Sequence, residues 1–373
     1  MQKVFHFKNV INNIKKIEFL APEFVYIPIT KKVNNPISVN DKVQKGVYFN
    51  NSDFSSVSGK IIGSKICYNI NKKFNSLVIK NDYKEQRIKK IKENKIDRIK
   101  RLVDSNLLLR LQSGCVNLVL CCFNDQPYTY NNEILIPLCY QDVLDILYLI
   151  KDGFGFKQVY IVVKDIQTKS IEKFMKVIGS YPELKFITIP NIYPVNGTDY
   201  YKNTLKIDNY CLLTFEELYD IYHIIKCCYS STETYITINI DNKNPIVVKT
   251  KIGISVKELF DNIKINYDKL NIYVNGTIGG ININNINDLI VTKDLHSIIL
   301  TSSFIPSETK CLNCGNCYKY CPKHIDPKKA IFDKEYRKKA KETCIKCGLC
   351  NYICPSYIKL MEGIEGKASN EAT

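Results

Sequence analysis

Short runs of apolar residues broken by polar turns fill the N-terminal part of the chain, and longer apolar stretches take over further on. Between Phe24 and Ile62 the runs Phe24–Ile29, Gly46–Phe49 and Lys60–Ile62 are strand-like, separated by turn residues at Asn34–Pro36 and Asn50–Asp53. This reads as a small all-β unit. From Arg87 to Val103 the period changes, with Ile88, Ile91, Ile99 and Leu102 spaced among Lys and Arg. That spacing predicts an amphipathic helix with a basic outer face, docked by its isoleucines. Between Val116 and Ile189, strand-like Val116–Cys122, Gln158–Lys164 and Lys185–Ile189 alternate with helix-like Gln141–Lys151 and Ser170–Gly179. The βαβαβ order argues for a Rossmann-like parallel sheet with covering helices. Such sheets bind ligands at the carboxyl ends of their strands, often through a glycine-rich turn, yet Leu102–Cys115 before the first strand has only Gly114. Thr214-x-x-Glu217 and Ser255-x-x-Glu258 are capping boxes, the first opening a helix to about Tyr229. Strand-like Glu233–Ile240, Ile246–Thr250 and Asn271–Val274 flank the second, and two strands, a helix and a further strand suggest a β-grasp module.

A chain of 373 residues exceeds one ordinary core and fits several domains. With 45% hydrophobic and 24% charged residues, neither a largely disordered nor a fibrous chain is credible. Lys and Arg number 53 against 37 Asp and Glu, a net charge of +16 that invites a nucleic-acid or anionic-membrane partner. The excess is mostly Lys in a chain crowded with Asn, Ile and Tyr, a bias that AT-rich coding DNA produces. No RNA- or DNA-binding module is recognisable, so no nucleic-acid partner is expected. The apolar runs Leu118–Phe123 and Ile134–Cys139 fall far short of the roughly 18 residues of a membrane span. Met1–Phe19 offers no signal-peptide core or small-residue cleavage site, and a cytoplasmic chain is expected.

Cysteine carries the chemistry. Eight of the sixteen cysteines lie between Cys311 and Cys354, as Cys311-x2-Cys314-x2-Cys317-x3-Cys321-Pro322 and Cys344-x2-Cys347-x2-Cys350-x3-Cys354-Pro355. Each is a complete copy of the bacterial-ferredoxin run: three thiolates two residues apart wrap one corner of an iron–sulfur cube, and the fourth, beside proline, serves the other cube. By the ligand exchange of two-cluster ferredoxins, one [4Fe–4S] cluster takes Cys311, Cys314, Cys317 and Cys354, and the other takes Cys344, Cys347, Cys350 and Cys321. Gly315 and Gly348 fall where the backbone passes close to the cubes, and Asp326–Thr343 reads as a polar helix linking the halves. A pair of zinc sites also uses C-x2-C pairs, but zinc has no use for a third cysteine at the same step and a Cys-Pro after it. Cys67, Cys115, Cys121, Cys122, Cys139, Cys211, Cys227 and Cys228 sit singly or as neighbours in apolar stretches and read as small core residues.

Ile37–Gly46 followed by Ser55–Ile62 resembles the barrel-sandwich hybrid fold of lipoyl and biotinyl domains. Those carriers place a modifiable Lys at a hairpin tip, whereas Asn50, Asn51, Ser52 and Asp53 stand here, so a non-carrier scaffold is expected over residues 1–80. The whole is then a multidomain α/β chain: that barrel-sandwich hybrid, a flavin/NADH-type α/β domain over 81–210, a β-grasp domain over 211–304, a mostly helical ferredoxin-like dicluster domain over 305–360 and a disordered tail over 361–373. This order resembles the RnfC family, the cluster-bearing peripheral component of the Rnf complex, an ion-translocating ferredoxin:NAD oxidoreductase, from about Phe24 to Leu360. Further marks are Asp41–Val43, Tyr193–Gly197, Asn275–Gly280 and Ile290–Lys293.

The resemblance implies a peripheral protein on the inner face of the cell membrane, passing electrons among NADH, a bound FMN and two [4Fe–4S] clusters, with the other members of the complex, ferredoxin and NAD(H) as partners. The family's long glycine-rich loop, whose backbone N–H groups cradle phosphates, is shortened here around Asp104–Gly114. Its Glu-Cys-Glu-Pro-Tyr segment corresponds to Asn124–Tyr128, with amides for both glutamates, and its Gly-Gly-Ile-His-Pro signature is replaced by Lys15–Phe19. A divergent member is expected, with its clusters kept and its flavin/NADH loop degenerate. Two other functions share these features: a cluster-bearing scaffold or relay without NADH or FMN chemistry, and a soluble cobalamin-reductase-like flavin and iron–sulfur protein, against which the N-terminal barrel speaks.

Overall fold

A computed structural model describes residues 4–6, 13–34, 36–50, 52–70, 72–89, 92–179, 181–241, 243–303 and 307–366. The chain is a mixed α/β multidomain protein with a helical C-terminal module. In its first sheet Phe24–Pro28, Lys73–Asn81, Gly59–Tyr68 and Lys42–Val43 lie in that order, all antiparallel. Strand alternation turns Val25, Ile27, Ile61 and Ile79 into one core with Val57. Gly46–Phe49, expected as a strand, makes only a bridge from Tyr48 to Phe54. Local turn chemistry wins there: Asn50 Nδ2 donates to Asp53 Oδ2 (2.6 Å), and Asn50 Oδ1 accepts from the Asp53 N–H (2.8 Å). Asn51 lies outside the described residues.

The second sheet is fully parallel, in the order Tyr210–Thr214, Asn117–Cys121, Gln158–Lys164, Leu184–Ile189. Residue 211 is therefore no boundary: Cys211 and Leu213 share a core with Leu118 and Leu120, and the helix Phe215–Cys227 covers this sheet with Leu218 and Ile221. Its capping box at Thr214 and Glu217 is complete. The first covering helix runs over Asn131–Phe154, longer than the expected Gln141–Lys151, because the apolar residues around Pro137 hide the helical period. The basic helix is shorter than expected, Lys95–Leu102, since the Asn94 side chain accepts from the Ile96 N–H and starts it late. Ile99 and Leu102 are its buried anchors, in keeping with the spacing, and Ile91 lies outside the described residues. Asp104 then caps a further helix, Ser105–Leu111, that buries Leu107 and Leu111.

The third sheet runs Ile281–Ile283, Asn271–Val274, Ser297–Thr301, Glu233–Ile240, Lys243–Lys251, Lys15–Phe19. Lys15–Phe19, expected with residues 1–80, pairs in parallel with Lys243–Lys251 instead. The helix Val256–Ile263 packs Leu259 and Phe260 onto Ile236, Ile238 and Leu300. Its capping box is only half made: the Ser255 hydroxyl accepts from the Glu258 N–H (3.0 Å), but the Glu258 carboxylate accepts from the Glu23 N–H (2.8 Å). That diversion ties the helix to the chain entering the first sheet.

Charges also join the first and third sheets. Lys251, 2% exposed, holds Glu233 at 2.9 Å and Glu85 at 3.0 Å, while Lys45 holds Glu85 at 2.6 Å and Lys249 holds Glu233 at 2.9 Å. Burial opposes the charge on Glu233, but Lys251 and Lys249 outweigh it and lower the carboxyl from 4.5 to about 2. A lowered folded-state value stabilises above the unfolded value, and the gain disappears as pH falls from about 4.5 to about 2. The shift corresponds to about 3 kcal/mol at neutral pH. Glu233→Gln is expected to cost about 3–5 kcal/mol at pH 7, since it leaves Glu85 as the one carboxylate facing buried Lys251 and Lys45. Urea unfolding at pH 7 and again near pH 3 checks this; an equal loss at both would remove Glu233 as the cause.

Candidate iron–sulfur centre

The C-terminal module is assembled from the two cysteine runs. Each run loops around three cysteines and turns into one helical turn, Asn316–Lys319 in the first and Leu349–Tyr352 in the second. The residue before each turn is left-handed, with φ of 71° at Gly315 and 74° at Gly348, which a side chain would strain. The expected linking helix is two helices, Pro327–Phe332 and Lys334–Thr343. Asp333 divides them, ending the first and capping the second through the Tyr336 N–H. A last helix, Leu360–Glu365, occupies the start of the expected tail and packs Ile364 on Ala330 and Ala340. Residues 367–373 lie outside the described residues.

The fold sorts the eight cysteines crosswise. Cys311, Cys314, Cys317 and Cys354 line a cavity of about 210 Å3, and Cys321, Cys344, Cys347 and Cys350 line a second of about 20 Å3. Each set takes three residues from one run and the Cys-Pro cysteine of the other. Ile358 and Leu360 pack against Cys311, Cys317, Cys350 and Cys354, so an apolar wall separates the cavities. Backbone N–H groups point at the sulfurs: Asn313 at Cys311 Sγ (3.5 Å), Ile325 at Cys321 Sγ (3.3 Å) and Lys346 at Cys344 Sγ (3.4 Å). Such bonds tune cluster potentials. Burial pushes the Cys317 thiol up to about 11 and the Cys347 thiol up to about 12. Thiols of this kind bind as thiolates only where a metal supplies the compensating charge. The donor set therefore fits iron–sulfur clusters. Among the described residues no group of three or more Cys, His, Asp or Glu side chains is placed to hold a single metal ion.

The rest of the protein cradles the second loop. The Tyr193 hydroxyl donates to the Cys347 carbonyl (2.5 Å) and accepts from Gln126 Nε2 (2.8 Å). A Cβ on Gly348 would stand 1.9 Å from the Ile278 carbonyl oxygen, and Ile345 lies against Gly197. Tyr193, Ile278 and Leu349 form one buried cluster. Sequence patterns mark Tyr193–Gly197 and Asn275–Gly280 without giving them a task; in the fold they are the seat of that loop.

The carboxyl ends of the parallel sheet form the crevice where a flavin would be sought. Asn124 Nδ2 donates to Glu216 Oε1 (3.0 Å), and Asp125, 3.9 Å from Lys164, accepts from the Val195 and Asn196 N–H groups. Burial pushes Glu133 up to about 7. Gln126, Tyr128 and Tyr193 fill the space, leaving about 20 Å3. Cofactor pockets are roughly 300–1,000 Å3, so these side chains would have to move to admit FMN here. Helix Ser105–Leu111 occupies the stretch before the first parallel strand, its Arg110 bonding the Leu212 carbonyl and paired with Glu217. Among the other cysteines, Cys67, Cys121, Cys122, Cys139, Cys211 and Cys228 are buried, and Cys115 and Cys227 partly so.

Residues 304–355 match the 4Fe–4S dicluster domain family. That match makes the C-terminal module an iron–sulfur electron-transfer domain. No curated protein sequence matches the chain. Among solved structures it is similar to NAD+-reducing [NiFe]-hydrogenase in the air-oxidized state, with a TM-score of 0.43 at 8% identity over 74% of this chain and 59% of that one. The H2-reduced state gives 0.42 at 9% identity over 74% and 58%. This chain thus spans well under two thirds of the hydrogenase chain. Among the described residues no helix is long and apolar enough to cross a membrane.

Proposed function

We propose that the protein is the electron-relay component of a membrane-associated, Rnf-like complex, passing single electrons through two [4Fe–4S] clusters while a partner performs any two-electron chemistry. The crosswise sorting of the cysteines carries this reading: Cys311, Cys314, Cys317 and Cys354 hold one cluster, and Cys321, Cys344, Cys347 and Cys350 the other. The order of parts supports the Rnf-like setting. The antiparallel sheet over Phe24–Asn81 is a barrel-sandwich hybrid, the parallel sheet Rossmann-like, and the third sheet with its helix a β-grasp extended by Lys15–Phe19. The filled crevice favours the form without FMN or NADH chemistry. Two clusters on either side of one apolar wall suit one-electron transfer, because no bond need form or break as charge passes between them.

The test is anaerobic purification followed by iron, acid-labile sulfide and flavin assays on one sample. About eight irons and eight sulfides per chain are expected, with flavin far below stoichiometric and no bleaching by NADH. Stoichiometric FMN with NADH-dependent bleaching would overturn the flavin-free form. Bound zinc in place of iron would overturn the relay. Membership of a membrane complex is checked by affinity purification from detergent-solubilised membranes of the native cell: integral-membrane redox proteins are expected in the eluate, and their absence from an iron-loaded preparation counts against that setting.

A further inference from the structure

The two cysteine runs repeat one another, so each loop can be compared with its counterpart. In the second loop Ile345 rests on Gly197 and Gly348 is pressed against Ile278, so the rest of the chain covers that loop. Leu312 holds the position of Ile345 in the first loop, and it is 69% exposed. Cys314, the counterpart of the partly buried Cys347, is exposed, and Tyr318 beside it is 51% exposed. The same loop is thus seated once within the chain and left bare once, with apolar side chains around a cluster-binding cavity.

Charge tells what covers the bare loop. Lys310 and Lys319 are exposed at its edge, and Lys328 lies half-buried beside them. Lys319 Nζ reaches the Cys314 carbonyl (3.5 Å), and Lys328 bonds Asn313. Among the described residues none of the three is paired with a carboxylate. Asp326 borders the same cavity, but its carboxylate is engaged in capping through the Lys329 N–H (3.0 Å). A second copy of this chain would bring lysines against lysines. An anionic lipid surface would meet the charge but has no redox centre to receive or supply an electron.

We propose that this face is the electron port of the protein and docks an acidic one-electron carrier protein, whose carboxylates meet the lysine rim and whose apolar centre covers Leu312 and Tyr318. The proposal rests on the relay reading. One electron crosses between the cluster of the exposed cavity and the oxidised or reduced centre of the carrier, and no bond or proton changes hands. The cluster held by Cys321, Cys344, Cys347 and Cys350, under Tyr193 and Ile278, exchanges electrons with the outside through the cluster of the exposed cavity.

The experiment uses the full-length holoprotein, reduced with dithionite, freed of excess reductant and mixed by stopped flow with an acidic [2Fe–2S] ferredoxin or with neutral benzoquinone. The ferredoxin rate is expected to fall at least about tenfold as salt rises from about 50 to about 500 mM. Lys310→Glu combined with Lys319→Glu is expected to lower it about tenfold at low salt, and Leu312→Ser to weaken the complex. Iron content and the benzoquinone rate stay unchanged in the double lysine variant, and Lys264→Glu, outside the module, leaves both rates alone. A salt-independent ferredoxin rate, an unaltered rate in the double variant, or an equal loss with benzoquinone overturns the port while the relay stands. So does a protein that binds anionic vesicles through these lysines and ignores ferredoxin. A preparation without iron overturns the relay reading itself and is recognised before mixing.

Discussion

In a chain carrying Cys344→Ser, Cys347→Ser and Cys350→Ser, about four irons are expected to remain, and adding Cys354→Ser should remove them. Adding Cys321→Ser to the same chain should change nothing. The asymmetry follows from geometry: Cys354 lines the cavity of Cys311, Cys314 and Cys317, although in sequence it belongs to the run that has been removed. Cys321 lines the other cavity and has no task once its partners are gone. Iron and sulfide analysis with the electron paramagnetic resonance of the reduced protein gives the answer. If Cys321→Ser empties the chain and Cys354→Ser does not, each run holds its own cluster and the crosswise assignment is wrong.

A methyl group at residue 348 is expected to do nearly as much damage without touching a sulfur. Gly348 and Gly315 share a left-handed backbone, with φ of 74° and 71°, so alanine at either pays about 1–2 kcal/mol of strain. Around Gly315 a Cβ meets only Lys319 Cε at 3.8 Å, whereas at Gly348 it meets the Ile278 carbonyl oxygen at 1.9 Å and its carbon at 2.6 Å. Backbone cannot step aside as a flexible side chain can. Gly348→Ala should therefore push the second loop off its seat, costing about 1–3 kcal/mol beyond Gly315→Ala, the range typical of overpacking. Unfolding curves of the two variants test this. Equal losses would mean that the seat yields and the close contact carries no weight.

The cluster site is the most legible part of the sequence, because thiolate spacing around a cube is a local constraint that survives in the order of residues. Gln158–Lys164 is legible to the residue, since a strand buried on both faces leaves an unbroken apolar run. The capping box at Thr214 is equally plain. What stays hidden depends on distant partners. Nothing near Glu258 indicates that its carboxylate turns to Glu23, and nothing near Cys211 that its strand completes the parallel sheet beside Asn117–Cys121. Helix Ser105–Leu111 does have a local signal, with Asp104 as cap and Leu107 and Leu111 four apart, but the expectation of a glycine loop in that stretch obscures it. Tyr193 and Gln126 become meaningful only when the third sheet and the cysteine module meet over them.

The pairing of Lys15–Phe19 with Lys243–Lys251 also sets a timetable for synthesis. A nascent chain exposes residues 15–19 long before the ribosome has made the strand that receives them, while the antiparallel sheet over Phe24–Asn81 has all its strands in hand early. Closing so long a loop is slow, and an unpaired edge is exposed meanwhile to foreign strands. Lys15, Lys16 and Glu18 place charge on three of the five residues of that waiting segment, which blunts such pairing until its own partner emerges. One of the first strands to leave the ribosome is thus among the last to settle, and the largest sheet of the protein gains that edge only once Lys243–Lys251 has followed it out.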